Sequence, residues 1–303
     1  MSASNECDGG VLRCGTVAIV GRPNVGKSTL LNHLVGQKLC ITSRKPQTTR
    51  HVISGIKTTE TAQIVFVDTP GLHQGGRVMM NRRMNRAAAA TLHDVDVIVW
   101  VVDRGVWTEE DAAVLERLRT VEVPVVLVIN KVDQLEDKAA LLPVMALFRE
   151  RLTCAAMVPV SALQKDGLPQ LEEALLPLLP VGDFIYPEDQ LTDKSERFFA
   201  AEIVREKIIR QLGEELPYQS AVEIEQFVEE GNLLRIAALI LVEKEGQKKI
   251  VIGDGGERLK KIGQQARLDM EELFGRKVML KLWVKVRRGW ADSEKALQSL
   301  GIE

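Results

Sequence analysis

The sequence predicts a doubly wound α/β unit with a mostly parallel sheet, followed by a smaller α+β unit. Three observations carry this. Up to about Pro180, short β-branched apolar runs alternate with helical patterns, as in a sheet covered by helices on both faces. Over residues 181–196 the periodicity stops, in a stretch holding Gly182, Pro187 and several acids. Beyond it, alternating strands and helices follow in a different order.

The first unit takes its strands from residues 17–20, 64–67, 97–102, 125–129 and 157–160, each apolar on both faces. Residues 51–57 add an edge strand. Helical patterns lie at 29–35, 82–93, 109–119 and 168–178. In the second unit, 198–212 reads as an amphipathic helix, 221–229 and 234–243 as strands, 256–274 as a helix and 278–286 as a strand. Along that last strand Val278, Leu280, Leu282, Val284 and Val286 share one face, while Lys281, Trp283 and Lys285 share the other. The division expected is a tail (1–14), a first domain (15–180), a linker (181–196) and a second domain (197–303).

With 303 residues, 45% apolar and 27% charged, the chain has the make-up of an ordinary water-soluble protein with two cores. The longest apolar run, 236–242, stops at Glu243 and Lys244, short of a bilayer span. Residues 1–15 lack the basic start and apolar core of a signal peptide. Cys7, Cys14, Cys40 and Cys154 show neither metal spacing nor a disulfide framework, which suggests reduced thiols in the cytosol. Net charge is −2, yet residues 241–303 hold 14 Lys/Arg against 10 Asp/Glu. A basic end on a mildly acidic chain suggests a polyanionic partner.

Gly21-Arg22-Pro23-Asn24-Val25-Gly26-Lys27-Ser28 follows the first strand and opens a helix, where a P-loop belongs. Backbone N–H groups and the helix N-terminus there form an anion nest for phosphates, a nest that runs on to Thr29. Gly21 and Gly26 let the backbone come close, Lys27 brings charge to the terminal phosphates, and Ser28 offers a hydroxyl to Mg²⁺. Asn130-Lys131-Val132-Asp133, at the end of the 125–129 strand, selects the base. The Asp133 carboxylate accepts two hydrogen bonds from guanine, whereas adenine would leave it buried and unpaired. Ser161-Ala162-Leu163, after the next strand, is placed for a backbone N–H to meet the guanine O6. Asp68-Thr69-Pro70-Gly71 ends the 64–67 strand: Asp68 serves Mg²⁺ through water and Gly71 meets the γ-phosphate. Thr48 and Thr49 lie in a loop where a threonine, Thr49 in our assignment, completes the Mg²⁺ shell. Both loops are expected to order around a γ-phosphate and relax after hydrolysis.

These elements, in order, mark a GTP-binding chain, and their details are narrower. The motifs just quoted, with Thr29, Gln47-Thr48-Thr49-Arg50-His51 and Leu72-His73, closely resemble the Era family. So do Tyr186-Pro187-Glu188-Asp189, Leu282-Trp283-Val284-Lys285-Val286 and Gly289-Trp290-Ala291-Asp292. The resemblance spans nearly all of the chain beyond Gly15. It implies a P-loop GTPase domain followed by a KH domain of type II, GTP and GDP as ligands, and binding to the 3′ end of 16S ribosomal RNA in assembly of the 30S subunit. It also implies a cytoplasmic protein, partly peripheral at the inner membrane, and we expect a monomer. Leu72 stands where Ras-like enzymes carry the glutamine that orients water, and leucine cannot hydrogen-bond. A low intrinsic rate is therefore expected, assisted by K⁺, which the resemblance places on Asn24.

Gly253-Asp254-Gly255-Gly256, followed by Arg258, Lys260 and Lys261, matches a KH loop, where the glycine-rich backbone clamps about four nucleotides. Asp254 is a departure, since KH loops more often carry a cation there. Lys248, Lys249, Arg258, Lys260 and Lys261 must outweigh it. Trp283 is expected to cover a helix or the first domain rather than stack a base. The alternative is a GTP-dependent membrane-associated or cell-cycle regulator whose second domain binds protein, with the glycines forming only a turn.

Overall fold

The computed structural model describes residues 11–43, 45, 48–71, 79–104, 106–212 and 219–302. Leu72 and His73, Arg44, Gln47 and the first ten residues of the expected tail fall outside them.

The first sheet has the order β2-β3-β1-β4-β5-β6. Its strands are β1 (Arg13–Val20), β2 (Ile53–Thr58), β3 (Ala62–Asp68), β4 (Val97–Asp103), β5 (Val125–Asn130) and β6 (Ala156–Pro159). All pairs are parallel except β2 with β3, so the expected edge strand is present and antiparallel. The β-branched runs are buried on both faces because helices cover both. Val17, Ile19, Val97, Val99 and Val101 face α1 (Lys27–Val35) and α5 (Leu168–Leu175). Ala18, Val20, Ile98, Trp100 and Val102 face α2 (Met79–Thr91), α3 (Glu109–Leu118) and α4 (Leu141–Arg151). Sequence reading passed over α4, whose Pro143 looks like a breaker. It sits in the first turn, where a proline costs no intrahelical hydrogen bond. Phe148 of α4 is fully buried, edge-on to Trp100.

The second sheet has the order β7-β8-β9, from β7 (Ser220–Glu230), β8 (Leu233–Val242) and β9 (Lys277–Val286). β8 runs antiparallel to β7 and parallel to β9. One face packs on α6 (Glu196–Gln211), α7 (Glu245–Ile252) and α8 (Glu257–Phe274). On the other, Leu239 and Leu241 meet Met80 and Met84 of α2 and Trp290, Ala296 and Leu297 around α9 (Glu294–Ser299). The two units therefore share a small apolar core.

Three expectations change here. α6 is not a simple amphipathic helix: it is buried nearly all round, with Glu202, Arg205, Glu206 and Lys207 inside. Those charges are tolerated because they are paired. Glu206 accepts from Thr42 N–H (3.0 Å), Lys38 (2.8 Å) and Arg210 (2.9 Å), and Lys207 bonds to Asp269. Arg205 donates to the Thr48 carbonyl at 2.6 Å. Second, residues 181–196 do not hang free. The fully buried Gln63 amide takes the N–H groups of Ile185 and Tyr186 (both 2.9 Å) and donates to the Tyr186 carbonyl (2.8 Å). Farther on, Ile56 N–H donates to Leu191 O (2.8 Å) and Thr192 Oγ1 to Ser54 O (2.7 Å). Third, Trp283 is 38% exposed, on the face of β9 turned away from α8. The side-chain period of two sends it opposite to Leu282, which takes the helix-covered face.

Candidate nucleotide site and nucleic-acid groove

The loops after β1, β3, β5 and β6, with the segment between α1 and β2, converge on one cleft of about 480 Å³. This is the carboxyl end of the sheet, where open α/β sheets bind ligands. Gly21 (φ 149°) and Gly26 (φ 103°) are required by geometry. A Cβ on Gly21 would lie 2.3 Å from Val101 O, and one on Gly26 would lie 2.3 Å from Asn130 Nδ2.

Lys27 reaches back along the loop to the carbonyls of Gly21 and Arg22, both at 2.9 Å. Burial pushes its ammonium down to about 8. Ser28 Oγ donates to Asp68 Oδ2 (2.7 Å) and lies 2.9 Å from Thr49 Oγ1, which is itself 3.3 Å from Asp68 Oδ2. Asp68 is fully buried beside the Cys40 thiol, its Oδ1 has no oxygen or nitrogen partner among the described residues, and burial raises its carboxyl above the usual range. An orphaned buried carboxylate oxygen beside two hydroxyls is a hard-oxygen set that fits Mg²⁺, which keeps waters and phosphates as its other ligands. Thr48 lines the same cleft, but its hydroxyl is bonded to Ser43 Oγ (2.8 Å) and Lys45 O (2.7 Å) and not to the Asp68 cluster.

The Arg22 side chain turns away from the cleft to Asp111 (3.2 Å) and Asp103 (3.9 Å), and so does not line it. Val25 is likewise core, while Pro23, Asn24 and Thr29 line the cleft. Asn24 has φ 62°, and among the described residues its amide makes no hydrogen bond. Thr69 Oγ1 caps Ile19 O (3.1 Å), Pro70 is buried, and Gly71 packs on Pro23.

Asn130 joins three loops. Its Nδ2 donates to Val25 O (2.7 Å), and its Oδ1 accepts from Lys131 N–H (2.8 Å) and Ala162 N–H (2.9 Å). The Ala162 N–H is thus committed to Asn130, and Leu163 stands exposed at the rim. Asp133 accepts from Ser161 Oγ at 2.5 Å, which orients the carboxylate over the cleft beside Lys131. Val132 lies beneath, buried in the core. Sequence reading missed Asp103, at the end of β4. It pairs with Lys131 (2.6 Å) and Arg104 (2.9 Å), which hold its carboxyl low against the opposing pull of burial. Its position at a strand end beside the other loops was the available signal.

In the second unit Gly253 (φ 74°), Gly255 (φ 57°) and Gly256 (φ 82°) form the turn between α7 and α8. A Cβ on Gly253 would meet Arg258 Cβ at 2.7 Å. Asp254 is exposed. Beside the turn runs a groove of about 450 Å³ between α8 and β9, lined by Lys260, Gly263, Gln264, Arg267, Leu280 and Leu282. Lys248, Lys249 and Lys261, expected at the RNA site, do not line it, and Arg258 bonds to the Ile250 carbonyl. Gln264 and Arg267 were missed, though they lie one and two turns from Lys260 on the same helix face.

A family model described as "50S ribosome-binding GTPase" matches residues 16–131, and one described as "KH domain" matches 215–291. The GTPase Era of Marinobacter nauticus is 61% identical over 290 residues, covering 96% of this chain and 95% of that protein. The GTPase Era of Pseudomonas aeruginosa is 62% identical over 289 residues, covering 95% of each. A crystal structure of an Aquifex aeolicus Era variant bound to GDP and AlF₄⁻ superposes with a TM-score of 0.93 at 38% identity, covering 96% of this chain and 99% of that one. A crystal structure of Era in complex with MgGDPNP and nucleotides 1506–1542 of 16S ribosomal RNA gives the same figures.

Proposed function

The chain belongs to the Era family of GTPases, and from that membership we propose a guanine-nucleotide switch whose second domain grips the 3′ end of 16S ribosomal RNA to assist 30S assembly. The observation that carries the switch is the Ser28 and Thr49 hydroxyls, at the cleft that Lys27 and Asp133 also line, gathered within 3.3 Å of the buried Asp68 carboxylate. Residues 15–180 are read as the GTPase domain and 197–303 as the RNA-binding domain, with 181–196 as the strap between them.

In this reading the backbone of residues 21–29 cradles the phosphates and Lys27, once beside them, regains full charge. Ser28, Thr49 and Asp68 would hold Mg²⁺, which supplies neutralising charge across the β- and γ-phosphates. Gly71 offers its N–H to the γ-phosphate, and its tight packing on Pro23 couples that contact to the P-loop. Asp133, oriented by Ser161, reads guanine, and Leu163 closes the base side. Asn24, with its uncommitted amide at the rim, is the ligand we assign to K⁺.

RNA is assigned to the α8–β9 groove because Lys260 and Arg267 meet phosphates there while Leu280 and Leu282 offer an apolar floor for bases. The neighbour crystallised with a 16S fragment supports the choice of RNA. A cytoplasmic monomer, with peripheral inner-membrane contact, completes the reading. Among the described residues no helix is long and apolar enough to cross a membrane. The test is titration of a 16S 3′-end oligonucleotide at several salt concentrations. Steeply salt-dependent binding, abolished by Gly253→Asp with Gly256→Asp, is expected. Salt-independent binding, or none, would sink the assignment.

A further inference from the structure

Among the described residues β9 is an edge strand, paired only with β8. Its inward residues Leu280 and Leu282 line the groove against α8. Its outward residues Lys277, Met279, Lys281, Trp283 and Lys285 are all exposed. Trp283 stands out among the tryptophans: Trp100 and Trp290 are fully buried, and Trp107 packs on Phe148 beneath Arg151. In the register with β8, Lys281, Trp283 and Lys285 lie beside Ala237, Leu239 and Leu241, none of them acidic. The acids of this face on β7 are Glu223, level with Leu239, and Glu230, paired with Arg235 at 2.6 Å. Those of the elements packed over Leu239 and Leu241 are engaged, Asp292 by Met79 N–H (2.9 Å) and Glu294 by Arg83 (2.9 Å). Along its own strand the indole is flanked on this face by lysines alone. Protein-binding patches are depleted in lysine at their centres, whereas an aromatic face between two lysines suits a base between two phosphates.

We propose that Trp283, with Lys281 and Lys285, forms a second single-stranded nucleic-acid surface on the open face of β9. A strand leaving the α8–β9 groove reaches it by turning round the free edge of β9, because adjacent residues of that strand point to the two faces. The proposal rests on the reading of the groove as an RNA site, and its test separates the two.

The probes are a four-nucleotide RNA that fills only the groove and a twelve-nucleotide RNA that extends past it. Trp283→Ala should weaken the longer RNA by about 5- to 150-fold, the range for losing one stacked base, and spare the shorter. Lys281→Gln with Lys285→Gln should lower the salt slope for the longer RNA by about 0.7 per phosphate released. Wild type should show RNA-dependent quenching of tryptophan fluorescence, and Trp283→Phe, which keeps a stacking ring, should hold affinity yet abolish that quenching. That variant also guards against an alanine protein that fails to fold. Equal affinity of the wild type for both RNAs, or unchanged quenching in Trp283→Phe, overturns this surface and leaves the groove standing. Binding of neither RNA by the wild type overturns both.

Discussion

Arg205→Ala is expected to cut the line between the nucleotide cleft and the second domain. The guanidinium is 3% exposed. It donates to Glu202 at 2.7 and 2.6 Å and to the Thr48 carbonyl at 2.6 Å. Thr48 directly precedes Thr49, whose hydroxyl belongs to the oxygen cluster around Asp68. Removing Arg205 takes its charge and both of its hydrogen bonds from the Glu202 carboxylate, itself 3% exposed, and leaves it the His51 ring (3.9 Å) and the charge of Arg50. Breaking a buried pair from one side costs about 3–5 kcal/mol. The same substitution removes the contact that joins α6 to the Thr48 backbone, so the coupling between the two ligands of the switch, about 1–3 kcal/mol, should be lost with it. The assay is fluorescence anisotropy of a 16S 3′-end RNA titrated with protein held by a non-hydrolysable GTP analogue, then by GDP. Wild type should bind more tightly in the GTP form by about 5- to 150-fold, and RNA should raise GTP affinity by the same factor. In Arg205→Ala the ratio should fall to about one. Glu202→Gln with Arg205→Met leaves no stranded charge and should regain thermal stability without regaining coupling. A folded Arg205→Ala protein with the wild-type ratio would show that coupling does not pass through α6.

Asp133→Asn should weaken GTP and favour xanthine nucleotides, whose position 2 carries an acceptor; a competition assay in which GTP keeps its wild-type advantage over XTP would refute the guanine assignment. Replacing KCl by NaCl at equal ionic strength should slow GTP turnover, and Asn24→Ala should erase the difference; equal wild-type rates in both salts would exclude K⁺. Thr49→Ala should raise the Mg²⁺ concentration for half-maximal hydrolysis about three- to tenfold, the span of one hydrogen-bond-sized interaction. Thr48→Ala should leave it within about twofold, and the reverse order would reassign the ligand. Burial raises the Glu202 and Asp269 carboxyls, but Arg205 on one and Lys207 and Lys38 on the other outweigh it and hold both low. Their stabilisation is therefore complete above the ordinary values of 4.5 and 3.8 and is lost as pH falls through their lower native ones. Acid titration of the inter-domain contact by hydrogen exchange should show it opening below about pH 4, and protection unchanged to pH 2 would contradict the pairing.

The parts legible in the sequence were those whose chemistry is local. A P-loop is one contiguous turn, so Gly21, Gly26, Lys27 and Ser28 announce their own geometry, and the two-faced apolar runs announce a covered sheet. What escaped was set by distant packing. Nothing in the spacing of Glu202, Arg205, Glu206 and Lys207 distinguishes a solvated helix face from one pressed on Lys38, Thr42, Thr48 and His51. Thr48 and Thr49 are chemically equal, and only the chain's path past Lys45 and Asp68 separates them. Arg22 reads as a phosphate ligand until Asp111, nearly ninety residues on, is found beside it. Trp283 shows the converse: period-two alternation separates it from Leu282, but that it stays 38% exposed, beside a Leu239 that is buried, is a tertiary fact.

The strap over Gln63 and β2 has a consequence for solubility. An outer strand with unpaired N–H and C=O groups is a template on which a second molecule can add its own strand. Here Leu191 and Thr192 occupy the Ile56 N–H and Ser54 carbonyl on that margin. The segment thus works as a selvedge that stops the weave from continuing into another molecule. A fragment cut after Pro180 would keep every nucleotide-binding loop yet bare this margin. It should bind GTP and self-associate at concentrations where the intact chain stays dispersed.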